Sequence, residues 1–465
     1  MLHSLFAWGL VLVAMAIPCL GATESIADHG AVSDGKTINT KAVQEAVDAC
    51  AAKGGGTVVV PAGVWVTGSV ELKSHITLRL EPGAVLRGSD KLADYPTNGY
   101  KHIEMGMVRS LLWAIGQTDV GISGPGMIEL VDKPFFDWTQ LRTGLSRQQD
   151  AQLEDWQKAQ CVVPVIAGGN AARPNQPIFF HDCRGLRVED VTIRNSPCWT
   201  LTFSCSQDIN VRGVRIDNNM QVPNNDGIHF SGSKNIVVSD CNISAGDDSI
   251  AFTGITDPAS ICEHIVVNNC ILHARSAGIR LGHLSAKVRD VAISNVVIRD
   301  SNRGFAIQAS TGGWVENVMI SNCVIETKMF AGAWWGKGEP FIISAADSTG
   351  HIKGVTISKV RARAENSILI VGTNQNVSDI TLDDVQVSYG YSPNAPLYGT
   401  QFDIAPAKLR PTQMGQDKMP WLYADGLAGL RLRDVRYEKA VGEKRELALE
   451  AVIGDVKDLV QTPGK

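Results

Sequence analysis

Positive charge is scarce in this chain: 43 Lys and Arg stand against 48 Asp and Glu, a formal net of -5, and no cluster of Lys and Arg marks a surface for a phosphate backbone. Nucleic acid is therefore not an expected partner, although a locally basic groove stays open. Aromatic residues make up only 6% of the chain and charged residues 20%, and low-complexity tracts are absent. The apolar run from Leu5 to Ile17 is too short to span a membrane comfortably. It is followed by Pro18 and the small residues Gly21 and Ala22, as in a secretory leader. No Lys or Arg precedes it, since the first is Lys36, so only the amino terminus and His3 supply the usual positive charge. The expectation is a leader over residues 1–21, a secreted or periplasmic location and no stable membrane insertion, with a retained anchor as the rival. Pro18 stands where a lipid-attachment site at Cys19 would want a small residue.

What is abundant is glycine, 45 residues, and short β-branched runs set between Asn, Asp and Gly. That texture reads as many strands joined by turns. Nine segments, beginning at residues 185, 208, 235, 264, 290, 317, 354, 379 and 429, carry apolar residues at offsets one, three, six and eight. The first reads Leu186, Val188, Val191, Ile193 and the sixth Val318, Ile320, Cys323, Ile325. Period two, a step of three, then period two again describes two strands with inward side chains and a corner between them. Offset five, the corner, holds Asp190, Gly213, Asp240, Asn269, Asn295, Asn322, Lys359, Asp384 and Asp434. Asn and Asp suit a bend that enters the left-handed region.

The first six starts are 23, 27, 29, 26 and 27 residues apart, too short for a helical crossover at each step and suited to one turn of a β-helix. A leucine-rich repeat would need a leucine-dominated strand and a fixed Asn, and neither is present. The expected fold is all-β: a single-stranded parallel β-helix over residues 22–465, with insertions at about 133–168, 326–353 and 388–428. Asn39 or Thr40 opens a short helix with Val43, Ala46, Val47 and Cys50 on one face, ended by Gly54, Gly55 and Gly56. Such a helix plugs the open end of a coil. Cys241, Cys270 and Cys323 share offset six with six valines, which favours a column of small buried side chains over a metal cluster.

The chemistry-bearing stretches are Asn224-Asn225-Asp226-Gly227 and Ala245-Gly246-Asp247-Asp248. Asp226 and Asp247 are 21 residues apart, one coil, so the two stretches belong on neighbouring rungs about 4.8 Å apart. Three carboxyls gathered there repel one another, and at least one keeps its proton near neutral pH as a general acid. A second, ionised, activates water on the far face of a sugar if the two stand about 6.5 to 9.5 Å apart. Because Asp247 and Asp248 are consecutive, Gly246 and a corner are needed to turn both outward. A solvated Asp-Asp turn and a calcium site are the competing readings.

On these residues the chain resembles glycoside hydrolase family 28, the polygalacturonase family. The likeness is carried by Asp34-Gly35, Gly54-Gly55-Gly56-Thr57-Val58, Asn195-Ser196-Pro197-Cys198-Trp199, Asn224 with Asp226, and Gly246-Asp247-Asp248. It implies a right-handed parallel β-helix that cuts by inversion, with Asp247 as general acid and Asp226 and Asp248 holding and deprotonating the water. Two signatures depart from the family. Its Gly-His-Gly reads Ser276-Ala277-Gly278 here, and its Arg-Ile-Lys reads Ala306-Ile307-Gln308, while Thr202 stands where many members carry His. The carboxylates are kept and the cationic clamp is not. Either the sugar beside the scissile bond is neutral or differently charged, as in rhamnogalacturonan, or the cation comes from Arg280 or His283. The expected substrate-binding residues are thus Asn224, His229, Arg280, His283 and Gln308, with no cofactor or metal. Trp334 and Trp335 are candidates for stacking on sugar faces or for packing their own loop.

A hydrolase of pectin-like polysaccharide is the leading functional expectation. A non-catalytic polysaccharide-binding β-helix and a calcium-dependent lyase are the alternatives, and a monomer is the default state.

Overall fold

The computed structural model describes residues 21–166, 168–253, 260–345, 349–398, 403–404, 419–443 and 450–462. Apart from Gly21, the expected leader lies outside them. From Ala22 onward the chain winds as a right-handed parallel β-helix. Successive coils pair in parallel and in register, as in Val211↔Val238↔Val267↔Ile293↔Ile320. Among the described residues the one antiparallel strand pair is the hairpin Thr97–His102 with Gly106–Arg109. No helix among them is long and apolar enough to cross a membrane.

The corner expected at offset five is left-handed in all nine segments, from φ 46° at Asp434 to 64° at Gly213. Its side chains form a ladder: Asn322 donates to Asn295 at 2.6 Å, Asn295 to Asn269 and Asn269 to Asp240 each at 3.3 Å. A second left-handed corner falls at offset zero, on Gly185, Asp208, Asn235, His264, Asp290, Asn317, Gly354, Asp379 and Gly429. The sequence pattern had not singled it out, although Gly, Asp and Asn predominate there for the same reason. The four apolar offsets are buried in the first eight segments. The ninth frays, with Tyr437 at its last apolar offset 42% exposed. Coils also precede residue 185, through the register Thr57↔Thr77↔Gly121↔Arg187.

Each coil adds a third strand that the alternation did not reveal, and these strands form a separate 12-stranded sheet. Its inner column stacks Phe180, Phe203, Phe230 and Phe252 with ring centroids 5.3, 5.1 and 4.9 Å apart. Its outer column runs Thr202, His229, Ala251, Arg280, Ala306 and Ile342. Two of the expected insertions are therefore not loops throughout. Residues Glu339–Ala345 and Leu422–Asp425, within 326–353 and 388–428, are rungs of this sheet. Among its described residues the 133–168 stretch holds short helical turns, such as Arg147–Asp150 and Asp155–Lys158, and the isolated antiparallel bridges Phe136↔Val165 and Arg142↔Val162.

The helix Thr40–Ala52 buries Val43, Ala46, Val47 and Cys50 against the first coils, as expected. Asn39 occupies its N-cap position, but the side chain spans coils instead of capping, bonding Val32 N–H at 2.7 Å and the Val66 carbonyl at 3.2 Å. Behind the helix the chain turns back so closely that a Cβ on Gly56 would lie 2.0 Å from the Ala22 carbonyl oxygen. Cys241, Cys270 and Cys323 are free thiols buried in the core. Among the described residues no group of three or more His, Cys, Asp and Glu is arranged to hold a metal.

Candidate active site

The outer face of the 12-stranded sheet carries a cavity of about 510 Å³ lined by Glu104, Arg142, Trp199, Asn224, Asp226, His229, Asp247, Thr253, Arg280, His283 and Trp335, among others. Two of the three expected carboxyls open into it. Asp226 is brought there by the rung pairing of Gly227 and Ile228 with the next coil, where the Gly227 N–H donates to the Asp248 carbonyl at 2.9 Å and the Ile228 N–H to the Ser249 carbonyl at 3.0 Å. Asn225 locks the second stretch to the first, accepting from the Gly246 N–H at 2.6 Å and donating to the Asn219 carbonyl at 2.8 Å. A Cβ at position 246 would stand 2.6 Å from both Asn225 Oδ1 and the Val222 carbonyl. Gly246 is thus needed for close approach, and Asp247 is delivered beside Asp226 by that contact.

Asp248 points behind the cavity wall. It is fully buried, accepts the Ala277 N–H at 2.8 Å and pairs with Arg280 Nη2 at 2.5 Å. The same Arg280 nitrogen is 3.9 Å from Asp247, and the guanidinium lies 4.9 Å from the centre of the Trp335 ring. Arg280, offered by the sequence as a replacement cation for the substrate, stands beside the acids with its charge opposed by Asp248. His283 likewise lines the cavity with its Nε2 3.1 Å from Glu104, a residue of the 97–109 hairpin that the sequence pattern did not bring forward.

Electrostatics separates these groups. Burial pushes the Asp247 carboxyl well above the ordinary range, the charges of Asp226 and Asp248 add to the rise, and Arg280 opposes it. Asp226 is raised by burial and by Asp248, again against Arg280. His229 is pushed down to about 3, chiefly by burial, and so is neutral at any ordinary pH. It lies 3.0 Å from Asp226 through Nδ1 and 2.9 Å from the Thr253 hydroxyl through Nε2, and stacks on Trp199 with centroids 3.6 Å apart. A neutral ring with its proton on Nδ1 donates to Asp226 and accepts from Thr253. Burial pushes Glu104 up, but the His283 hydrogen bond and the nearby imidazoles outweigh it and lower its pKa.

Asn224 lines the cavity in a left-handed conformation, φ 56°, with its side-chain oxygen 3.2 Å from the buried Arg173. Gln308 corrects the sequence expectation. It is buried outside the cavity and donates to the Ile404 carbonyl at 3.4 Å, while its neighbour Ala306 packs with Ala277, Ile342, Leu369 and Ile404. The residue after the next on a strand shares its face, and here Ile404 lies over that face. Both tryptophans line the cavity. Trp334 packs with Val162 and Phe330 and donates to the Gln160 carbonyl at 2.7 Å, whereas Trp335 stays partly open at the cavity.

Residues 144–400, more than half of the chain, match the family model described as glycosyl hydrolases family 28. The chain is 28% identical over 354 residues, 71% of its length and 66% of the other's, to a probable polygalacturonase of Vitis vinifera. It is 28% identical over 419 residues, 83% of its length and 67% of the other's, to an exo-poly-alpha-D-galacturonosidase of Dickeya chrysanthemi. It thus spans about two thirds of the length of these relatives. Among solved structures, a family 28 exopolygalacturonase of Yersinia enterocolitica superposes with a TM-score of 0.67 at 19% identity, covering 95% of this chain and 78% of that one. A hyperthermoactive exopolygalacturonase from Thermotoga maritima gives 0.63 at 23% identity, covering 79% and 87%.

Proposed function

The chain belongs to glycosyl hydrolase family 28, and from that membership we propose that it hydrolyses glycosidic bonds of a pectic, galacturonate-containing polysaccharide with inversion at the anomeric carbon. The observation that carries the reading is that Asp226 and Asp247, one coil apart, open into a single cavity where burial and the charge of Asp248 raise both carboxyls, with the charge of Asp226 raising Asp247 further. Near neutral pH such a pair holds one proton between two sites. Arg280 pins the negative charge of Asp248 behind the pair, and the His229 N–H steadies an ionised Asp226, so the shared proton rests on Asp247.

Asp247 then donates that proton to the departing glycosidic oxygen as the bond to the anomeric carbon breaks. Water enters from the opposite face, forms the new carbon–oxygen bond and gives its proton to Asp226. In this proposal Asp248 acts through charge, from beneath Arg280, without touching the water. Trp335, at the cavity wall, offers a face for a sugar ring. Around the cavity the His283–Glu104 bond ties the hairpin to the coil, and the Ala333 N–H, donating to the Arg142 carbonyl at 3.3 Å, ties the 326–353 insertion to the 133–168 insertion. Removal of units from chain ends, the activity named for the relative in Dickeya chrysanthemi, is part of the same proposal. Export of the chain, resting on the leader-like residues 1–21, belongs to the same proposal; the amino-terminal sequence of the protein recovered outside the cell tests it.

The test of the chemistry is product analysis on polygalacturonate. The expected outcome is new reducing ends without an unsaturated ultraviolet chromophore, released as short units, with the opposite anomer seen first by proton NMR. The chromophore would mean elimination, and an anomer of unchanged configuration would reject inversion. Binding without any products would support the non-catalytic alternative.

A further inference from the structure

Four basic side chains line the cavity, and three of them are already engaged. His229 is neutral and uses both ring nitrogens, on Asp226 and Thr253. Arg280 is spent on Asp248, and the His283 Nε2 faces Glu104. The remaining lining groups with charge, Glu104 and an ionised Asp226, repel an anionic sugar. Positions 306 and 308, which hold the cations of the family's Arg-Ile-Lys signature, carry neutral residues in contact with Ile404.

Arg142 is the fourth. Its side chain is exposed at the cavity and forms no ion pair or side-chain hydrogen bond among the described residues. Its backbone is held on both sides: its N–H donates to the Val162 carbonyl at 2.7 Å, and its carbonyl accepts the Ala333 N–H at 3.3 Å. A guanidinium with an anchored root and an uncommitted head matches the two oxygens of a carboxylate. The residue lies outside 144–400, the stretch matched by the family, so no family motif points to it.

We propose that Arg142 is the receptor for a uronate carboxylate in this cavity, supplying from the 133–168 insertion the positive charge that the sheet beneath no longer carries. The proposal rests on the hydrolase reading for the identity of the ligand, and its test separates the two. Trigalacturonate and its methyl ester are titrated calorimetrically into the Asp247→Asn protein, with and without Arg142→Ala, and Arg142→Lys is added as a control. Loss of a bidentate charged contact should weaken binding of the acid by at least about tenfold. Binding of the ester should change by less than about twofold, with the lysine variant in between because it keeps charge without the fork. Equal losses for acid and ester, no loss for either, or preference for the ester by the Asp247→Asn protein would each overturn the assignment. If that protein binds the acid through Arg142 while the parent chain releases no reducing ends from polygalacturonate, the hydrolase reading fails and this one stands.

Discussion

On the 23-stranded sheet, the side chains that point away from the core meet solvent: Val237, Val266, Ala292 and Met319 form one column, and Met319 is 60% exposed. On the 12-stranded sheet the equivalent column, Thr202, His229, Ala251, Arg280 and Ala306, is buried. Both sheets have the same coil geometry and the same kind of apolar interior. They differ in what lies outside, bare solvent in one case and a hairpin with three insertions in the other. Covering a sheet face does two things. It removes water from charged groups, so that carboxyls rise and imidazoles fall in pKa, and it brings together residues far apart in sequence. The contrast teaches that the chemistry here is a property of the cover as much as of the coil.

The sharpest way to break this contrast is to remove the acid. Asp247→Asn should lower kcat on polygalacturonate by about 10² to 10⁴-fold or more, read as reducing ends, while circular dichroism keeps the β signature. The sign of the stability change follows from the raised carboxyl. A group whose folded pKa lies above its unfolded value contributes stability that is complete below the unfolded carboxylate range and is lost as pH rises through the folded value. At neutral pH and above, the variant should therefore melt no lower than the parent. A lower melting temperature there would contradict a desolvated Asp247.

Activity itself should follow the same pair. It should fall as pH rises through the elevated pKa of Asp247, because the acid is lost, and fall again in acid as Asp226 gains its proton. A rate that keeps increasing into alkaline solution would remove the carboxyl as proton donor. Gly246→Ala should cost about 1–3 kcal/mol from overpacking against Asn225 and Val222, and about 10²-fold in kcat if Asp247 is displaced by roughly 1 Å. Denaturant titration and kinetics read the two effects separately. At the small end, Asn295→Ala on the exposed ladder should lower stability by about 1–2 kcal/mol, since alanine resists the left-handed φ of 56°. Its kcat should stay within about twofold of the parent, and a large loss would mean that the two sheets are not independent.

The bare sheet was legible because its alternation survives. Leu186, Val188, Val191 and Ile193 point inward while their neighbours stay polar, and Asn269, Asn295 and Asn322 mark the corner. The covered sheet was not, because in Leu201–Ser204, Ile228–Ser231 and Ala277–Leu281 every residue is buried, and alternation vanishes when both faces are dry. Gln308 was misread for the same reason: being on the site's strand face does not reveal that Ile404 sits on top. Glu104 and Arg142 lie in irregular or hairpin segments, with no period to draw attention to them.

Local sequence sufficed for the winding of the coil and for the one-turn separation of Asp226 from Asp247, since both depend on periodicities of two and of about two dozen residues that neighbouring rungs must share. Which carboxyls open to the cavity, which arginine is spent on Asp248 and which remains uncommitted depended on packing between segments scores of residues apart. Contacts of that kind leave no regular trace along a chain, because they are set by where loops come to rest and by the water they exclude.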